Sequence, residues 1–447
     1  MHPRPRARVM LTVLLPLVTS TTIGCAAHEP EVVDPAEVLR ALEATSLERA
    51  AAPRPVTVGD GLTVDEAVAL AARHNPGLHA RRAWLPVARV GREIAGLWPD
   101  PELEWIANNV IADLATVRKV TTHSVLSGFQ LMFPLPRPGE LDARVAVAAA
   151  RLAREAALAR AAEADLARDV RLAYTALLQA EAELELVLAQ VALAERAHAQ
   201  TAERRAVGQA TDLEVSLAEL PMRQARAAVP HLEGEAEAAR LTLNALLGLP
   251  PRERWRPTTT LDALASSTPP PLPGPLVEAA LARRPDLEAA RWAHREADAD
   301  LALERALRWP RLAVGTGFAI ELPVFSRFNH WGVERARLAR AAARDGLVAA
   351  VHALRADVHE AHAVAQAAHR TAEVHARALE EGAEAVLRVA EAAQAAGQVP
   401  VIEVLAARAQ ALEARRRALA ARADWAAAAV RLDAATGALA PPALPVE

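Results

Sequence analysis

The sequence predicts a mainly α fold in which long antiparallel coiled-coil helices form two repeats of a helical barrel wall. One observation is a repeated turn: "GQATDLEV" at 208–215 returns as "GQVPVIEV" at 397–404. Another is a run of apolar residues spaced alternately by four and three, which is typical of a coiled-coil seam. Aromatic residues make up only 3% of the chain, which favours alanine-rich helix packing over a large globular core.

Landmark residues show that the repeat spans whole halves of the chain. The spacing from Pro134 to Gly208 equals that from Pro323 to Gly397, and the spacing from Gly208 to Gly248 equals that from Gly397 to Gly437. A repeat this long is a duplicated half, and not a short-period solenoid. We therefore divide the chain into a leader, 1–24, an N-terminal extension, 25–60, a first repeat, 61–249, a proline-rich connector, 250–274, a second repeat, 275–440, and a tail, 441–447.

Each repeat is predicted to contain a helix, a strand-forming region, a very long helix and a medium helix. In the first repeat these are 63–97, 101–133, 140–207 and 211–247, and in the second the helices are 275–308, 333–396 and 400–436. The seam of the first long helix includes Leu166, Val170, Ala173 and Leu177, and that of the second includes Leu354, Val358 and Ala365. Pro221 and Pro230 are expected to interrupt and kink the medium helix of the first repeat.

The N-terminus is typical of a secretory signal peptide. Three arginines precede the apolar run 9–18, which is too short to span a bilayer. Cys25 follows Ile23 and Gly24 as the cysteine of a bacterial lipobox does, although Thr22 stands where leucine is usual. Acylation of Cys25 is the favoured reading, and a plain signal peptide with an incidental cysteine is the alternative. Ala26 is not the aspartate that retains such lipoproteins in the inner membrane, which indicates the outer membrane.

Several stretches resemble the TolC-like outer-membrane efflux proteins over about residues 60–440. They are "LTVDEAVALAARHNPGLHARRA" (62–83), "GLWPDPELEW" (96–105), "PLPRPGELDARVAVAAA" (134–150) and the two glycine turns. The resemblance implies a homotrimer with a small β-barrel portion in the outer membrane and a helical barrel that extends into the periplasm. It also implies docking with a periplasmic membrane-fusion adaptor and an inner-membrane efflux pump. "WPDPELEW" is most similar to the heavy-metal branch, which implies export of metal cations or small toxic compounds.

The second strand-forming region departs from the family pattern. The first region runs from Pro101 to Pro134, which is enough for two strands, but the second runs only from Pro310 to Pro323. A membrane-spanning strand needs about 9–11 residues, so a full second hairpin is not expected. Either the barrel is reduced, or the chain is a divergent or partly deleted member.

The two glycine turns are the candidate functional site. Gly208 and Gly397 are expected to end the long helices with positive φ, and Pro400 suits the first turn of the return helix. The resemblance places these turns at the periplasmic tips, with Asp212, Glu214 and Glu403 as pore-constriction candidates. A ring of carboxylates there would attract cations and gate the duct. The alternative is that Glu214 and Glu403 only favour the dipole of the first helical turn.

Other functions are disfavoured. The sequence has no HExxH, phosphate loop, GxSxG or second cysteine, so neither an enzyme nor a cofactor is predicted. A net charge of −4 argues against nucleic acid as a partner. His359 and His362 lie three apart on the second long helix, and could contact a transition metal weakly or simply lie on a solvated flank. The alternative to an exit duct is a lipid-anchored periplasmic coiled-coil structural or adaptor protein.

Overall fold

The computed structural model describes residues 30–47, 61–108, 126–264, 268–399 and 401–442, and it is mainly helical. Residues up to Thr45 form one unit and residues from Ser46 form the other. The described part of the first unit contains helix α1, Pro35–Glu43, which begins where the Asp34 carboxylate accepts a hydrogen bond from the backbone N–H of Ala36 at 2.9 Å. The predicted signal peptide and Cys25 lie outside the described residues.

In the first repeat, the predicted helix 63–97 is three helices. Asn75 is extended because it precedes Pro76, and its side chain caps the next helix by accepting from the N–H of Leu78 at 2.9 Å. The single-helix prediction is therefore wrong at this point. The elements of this half are α2, Val64–His74, α3, Pro76–Arg82, α4, Trp84–Ala95, β1, Glu102–Asn108, β2, Leu126–Pro134, α5, Glu140–Ala206, and α6, Asp212–Leu247.

The connector and the second repeat follow the same plan with two further breaks. Arg284, which precedes Pro285, divides the predicted helix 275–308 in the same way as Asn75. The long helix contains a π-helical turn, His375–Glu380, which its sequence did not predict. The elements are α7, Leu261–Leu264, α8, Pro273–Arg283, α9, Pro285–Ala306, β3, Arg311–Gly315, β4, Phe318–Glu321, α10, His330–Val374, α11, Glu381–Ala395, and α12, Val401–Ala435.

The strands form one antiparallel four-stranded sheet in the order β1-β2-β3-β4. Leu103 pairs with Leu131 between the first two strands, Phe133 with Val314 between the next two, and Leu312 with Ile320 in the last pair. The structure agrees with the expectation that a full membrane-spanning hairpin does not fit, because β3 and β4 form a hairpin with strands of only five and four residues. The hairpin is short, and it forms because β2 supplies a partner for β3.

Long helices pack side by side with the shorter ones, as the repeat predicts. The antiparallel hairpin of α5 and α6 makes the most extensive contact, and α5 also packs on α9, α4, α2 and α12. In the second repeat α10 packs on α9, α12 and α8, and α11 packs on α12. The predicted seam is confirmed where its residues are buried: Val170, Leu177, Val187, Leu354, Val358 and Ala365.

Helix α6 is continuous from Asp212 to Leu247, so the interruption predicted at Pro221 and Pro230 is wrong, whereas the kink predicted there stays a prediction. Each proline removes one backbone donor and crowds the carbonyl four residues earlier, at a cost of about 3 kcal/mol. Met222, Ala225 and Leu232 are buried, and their packing holds the helix through both prolines. No helix among the described residues has the length and apolar character needed to cross a membrane.

A buried polar cluster fastens the connector to the first repeat. The hydroxyl of Tyr174 donates to the carbonyl of Leu62 at 2.7 Å and accepts from the backbone N–H groups of Thr258 and Thr259 at 3.0 and 3.1 Å. Tyr174 is fully buried and its ring lies 6.2 Å from that of Trp255. The connector is therefore part of the core and not a free linker.

Tyr174→Phe is expected to lower the free energy of unfolding by about 2 kcal/mol, because it removes the buried hydroxyl bond to Leu62 and leaves the N–H of Thr259 without its acceptor, while the ring packing remains. Denaturant unfolding of the purified protein in detergent measures this change. Thr242→Val is the control, since the exposed Thr242 hydroxyl bonds only to the carbonyl of Ala238 in its own helix. Equal stability of the two variants would contradict this account of the connector.

Candidate functional site

The first hairpin tip is a turn built on Gly208. Gly208 has φ +75°, its N–H donates to the carbonyl of Arg205 at 2.9 Å, and the N–H of Gln209 donates to that of Arg204 at 2.8 Å. This pair of bonds is a Schellman motif, which satisfies helix-end carbonyls and needs the left-handed conformation that glycine adopts freely. The predicted positive φ is confirmed at Gly208.

The carboxylate of Glu214 takes part in a capping box with Thr211 at the same tip. Its carboxylate accepts from the N–H and the hydroxyl of Thr211 at 2.6 and 2.9 Å, and its own N–H donates to that hydroxyl at 3.2 Å. The two bonds from Thr211 lower the pKa of the Glu214 carboxyl. The cap therefore stabilises the tip fully at pH values above the ordinary pKa of glutamate. This stabilisation is lost as the pH falls through the lowered pKa of Glu214. Asp212 forms an ion pair with Arg205 across the turn.

The second tip repeats the turn but not the cap. Gly397 has φ +72°, and the N–H groups of Gly397 and Gln398 donate to the carbonyls of Gln394 and Ala393, both at 2.9 Å. Pro400 itself lies outside the described residues. It takes the place of Thr211 in the repeat, three positions after the turn glycine, and proline has neither the hydroxyl nor the N–H that a capping box requires.

Glu403 is consequently different from Glu214, although the two occupy the same position after the turn glycine in their repeats. Glu403 is exposed, and no group in the described ranges forms an ion pair or hydrogen bond with its carboxylate. It lines a groove of about 430 Å³ between α11 and α12. The other lining residues are apolar, and two of them are well exposed: Val386 at 55% and Val389 at 70%.

One face of the sheet, at the other end of the long helices, is apolar and exposed. The register places Leu103 beside Leu131, Phe133 beside Val314, and Val314 beside Phe318. Side chains on one face of a sheet alternate with those on the other, so these residues share a face. The exposed members are Leu103, Leu131, Phe133, Leu312, Val314, Phe318 and Ile320.

The opposite face of the sheet carries the charged side chains, together with Met132 and small residues. Arg311 and Glu321 are paired in register there and their charges lie 4.0 Å apart. Glu321 also lies 3.9 Å from Arg137, which in turn contacts Glu140 at 3.4 Å. A sheet with one apolar and one polar face suits a wall between lipid and water. Apolar residues at alternate positions of 311–321 could have predicted a sheet with one apolar face. The sequence analysis did not use this pattern.

The histidines of the second long helix are not assembled into a metal centre. His359 is exposed and His362 partly so. His369 packs edge to face on Trp425, with ring centroids 5.0 Å apart. The described ranges contain no group of three or more His, Cys, Asp or Glu side chains that could hold a metal ion. Weak metal contact at His359 and His362 remains a prediction.

The sequence resembles one known family. Residues 67–249 match the family model described as outer membrane efflux protein, which confirms the predicted resemblance for nearly all of the first repeat. No curated protein matches the chain significantly.

Solved structures extend the likeness to the second repeat. The outer-membrane channel OprN superposes with a TM-score of 0.67 at 20% identity, over 84% of this chain and 89% of that one. The open state of the Neisseria gonorrhoeae MtrE channel gives 0.66 at 20%, over 84% and 88%. The Campylobacter jejuni CmeC channel gives 0.65 at 13%, over 92% and 93%. The mainly α fold of the TolC-like helical barrel channels is thus confirmed, and these neighbours are channel proteins, not enzymes.

Proposed function

Since residues 67–249 match the outer membrane efflux proteins and the described chain has the TolC-like fold, we propose that this protein is the outer-membrane exit duct of a tripartite efflux system. It exports metal cations or small toxic compounds, without catalysis and without a cofactor. The observation that carries the proposal is the two-faced sheet, apolar on one side and polar on the other, at the base of two long helical hairpins. A lipid-anchored coiled-coil protein would have no need of such a sheet.

The working form is a homotrimer. A single chain offers a four-stranded sheet with β1 and β4 as open edges, and such edges are normally paired or covered. Three copies of the sheet would close into one barrel in the outer membrane that is reduced in height at β3 and β4, while the hairpins enclose a duct in the periplasm. The adaptor docks at the hairpin tips, where the exposed Val386 and Val389 of one tip and Val207 and Leu213 of the other offer apolar contacts, and the inner-membrane pump delivers the substrate.

Glu403 is the residue that we assign to the pore constriction. Its carboxylate is exposed and lacks a partner in the described part of the chain, so three copies would present three free negative charges at the narrow end. Glu214 and Asp212 contribute less, because one caps α6 and the other pairs with Arg205. A ring of free carboxylates attracts cations and repels anions.

Glu403→Ala is therefore expected to reduce the preference of the open channel for cations by several-fold, since the ring loses its charge. The reversal potential in a potassium chloride gradient across a planar bilayer measures this preference. Glu214→Ala is the matched control, and it should leave selectivity nearly unchanged while it loosens the first tip. Equal effects of the two substitutions, or an effect only of Glu214→Ala, would refute the assignment of Glu403.

Cys25 is proposed to be the acylated first residue of the mature chain, on the sequence evidence alone. Cys25→Ser should yield an unprocessed, unlipidated precursor. Mass spectrometry of the purified proteins checks that the diacylglycerol is present in the unsubstituted chain and absent from the Cys25→Ser variant. Normal processing at the same residue in Cys25→Ser, with unchanged membrane fractionation, would rule out lipidation.

A further inference from the structure

The turn between β4 and α10, residues 322–331, holds an unusual backbone; we refer to it as the aromatic turn. Arg327, Phe328 and Asn329 have φ values of 51°, 53° and 53°, and they are the three non-glycine residues with positive φ among those described. Side chains with a β-carbon clash in this conformation, so that bulky residues rarely adopt it. Three in succession therefore call for a reason.

In the first repeat, the corresponding connection, from β2 to α5, has a glycine in the left-handed conformation. By its spacing from the proline, Phe328 corresponds to Gly139, which has φ +75° and open space around it. By its place at the helix start, Gly139, the N-cap of α5, corresponds to Asn329, the N-cap of α10. The second repeat thus places a phenylalanine where the backbone favours glycine. Simple chain reversal does not require this substitution, since Gly139 achieves the reversal without a large side chain.

Neighbouring groups hold the aromatic turn in place. The side-chain amide of Asn329 donates to the backbone carbonyl and the carboxylate of Glu304 at 2.8 and 2.6 Å. The N–H of Phe328 donates to the carbonyl of Pro323 at 2.8 Å. A β-carbon at Gly332 would collide with the Asn329 side chain, so the fit is close. The turn is a fixed structure, and its strain is sustained by these contacts.

The fixed turn presents its apolar side chains to the outside. Phe325 is 102% exposed and Trp331 is 65% exposed. Leu322, Val324 and Phe328 are also exposed, and the turn continues directly from Phe318 and Ile320 of the apolar sheet face. Exposed apolar residues therefore continue along the chain from β4 into the turn.

Aromatic residues gather in this part of the molecule. All five phenylalanines and four of the eight tryptophans belong to the strands or to the segments that join them to the helices. Tryptophan and other aromatic rings concentrate where a membrane protein passes from hydrocarbon to water. The residues are Trp98, Trp105, Phe129, Phe133, Trp309, Phe318, Phe325, Phe328 and Trp331.

Exposed arginines accompany the aromatic rings. Arg327 lies within the aromatic turn and Arg308 lies just before β3, and both are exposed. Within the part of the chain that the structure describes, no carboxylate pairs with either guanidinium. Guanidinium groups bind phosphate oxygens well, so the pair suits a phospholipid headgroup layer beside the rings.

We propose that the aromatic turn is a membrane-interface anchor, which inserts Phe325 and Phe328 among the lipids at the periplasmic boundary of the outer membrane. The left-handed stretch fixes these rings outward, and Arg327 contacts lipid phosphates. The anchor sets the depth of the short β3–β4 hairpin, whose own strands of five and four residues are too short to span the bilayer. This inference rests on the proposed outer-membrane function.

Lipid contact can be measured by fluorescence quenching at single cysteines. In the otherwise unsubstituted full-length chain, the variants Phe325→Cys and Val324→Cys are each labelled with bimane and reconstituted into phosphatidylcholine vesicles, and the unsubstituted chain is labelled in parallel to measure any signal from Cys25. The vesicles carry a nitroxide at carbon 5 of the acyl chain. Phe318→Cys reports whether the sheet is inserted. Leu338→Cys in α10 and Leu213→Cys at the first tip are exposed controls on the helices, at 62% and 68% exposure in the unsubstituted chain.

The anchor predicts quenching by the nitroxide lipid at 318, 324 and 325 that is at least threefold stronger than at 338 and 213. Quenching at 318 but only by aqueous iodide at 325 would overturn the anchor and leave the exit duct intact. Quenching at 318 with protection of 325 from both quenchers would also overturn it, by showing that another protein copy covers the turn. No lipid quenching at 318 would overturn the membrane-inserted duct and, with it, the anchor.

A second variant tests whether Phe328 serves lipid contact or the packing of the folded chain. Phe328→Gly removes the unfavourable side chain at a position where the equivalent Gly139 is accommodated, so the melting temperature in detergent should hold or rise. Lipid quenching of the bimane at 325 should fall, because one of the two inserted rings is lost and glycine gives the turn more backbone freedom. A lower melting temperature together with unchanged quenching would show that Phe328 serves packing, and would overturn its role in the anchor.

Discussion

Phe318→Arg is expected to prevent stable insertion of the protein into the outer membrane. Phe318 lies on the exposed apolar face of the sheet, beside Val314 on the neighbouring strand. An arginine on the lipid face of a membrane barrel costs about 2–4 kcal/mol near the bilayer midplane, and a trimer would meet this cost in three copies. The fraction of protein recovered in outer membranes after density-gradient separation should fall at least tenfold.

Ala319→Arg is the matched control for this substitution. Ala319 is the next residue of the same strand and is also exposed, but it lies on the face that carries Arg311 and Glu321. An arginine there remains on the polar side, so the protein should insert nearly as well as the unsubstituted chain. Equal recovery of both variants would mean that the apolar face does not meet lipid.

Gly248→Ala is expected to give the largest loss of folding stability among Gly208, Gly248 and Gly437, about 2–5 kcal/mol in total from two causes. Gly248 has φ +70°, which costs any residue with a β-carbon about 1–2 kcal/mol. The added carbon would also lie 2.9 Å from the backbone carbonyl carbon of His74 and closer still to its oxygen. The end of α6 and α2 must therefore move apart, at a further cost of about 1–3 kcal/mol.

Two other glycines calibrate the Gly248→Ala result. Gly208→Ala has the same backbone strain at φ +75° but open space around the new carbon, and Gly437→Ala would approach the backbone of Arg284 at 3.0 Å. Denaturant unfolding should therefore rank the losses in the order Gly248, Gly437, Gly208. A loss at Gly208 as large as that at Gly248 would refute the role of the contact with His74.

The repeat made much of the fold predictable from the sequence. Gly208 and Gly397 end their helices in the same motif, because helix-end hydrogen bonding is local and glycine alone reaches the needed φ without strain. The seam was predictable for a similar reason, since residues such as Val170 and Val358 recur at the helical period and are buried.

Other features depend on contacts that the sequence does not display. The break at Arg284 follows from the residue after it, but α9 continues in the same layer of helices, so the periodic pattern concealed it. The short β3–β4 hairpin forms through pairing with β2, a strand that belongs to the other repeat and lies far earlier in the chain. The π-helical turn at His375–Glu380 carries no sequence signal that we recognise.

The candidate site was also predictable only in part. Glu214 and Glu403 look equivalent in sequence, and the resemblance implied one role for both. Their local chemistry separates them, because Thr211 offers two donors to Glu214 whereas Pro400 at the equivalent position offers none. That distinction could have been drawn from the sequence alone by asking which residue precedes each glutamate by three positions.

Ion conductance of the purified trimer in a planar lipid bilayer tests the central claim most directly. The exit duct predicts discrete, uniform current steps, with a preference for cations that depends on Glu403. Cross-linking of the same sample would establish that three chains are assembled. A folded trimer that inserts into the bilayer and never conducts would contradict the duct and favour a lipid-anchored structural or adaptor protein.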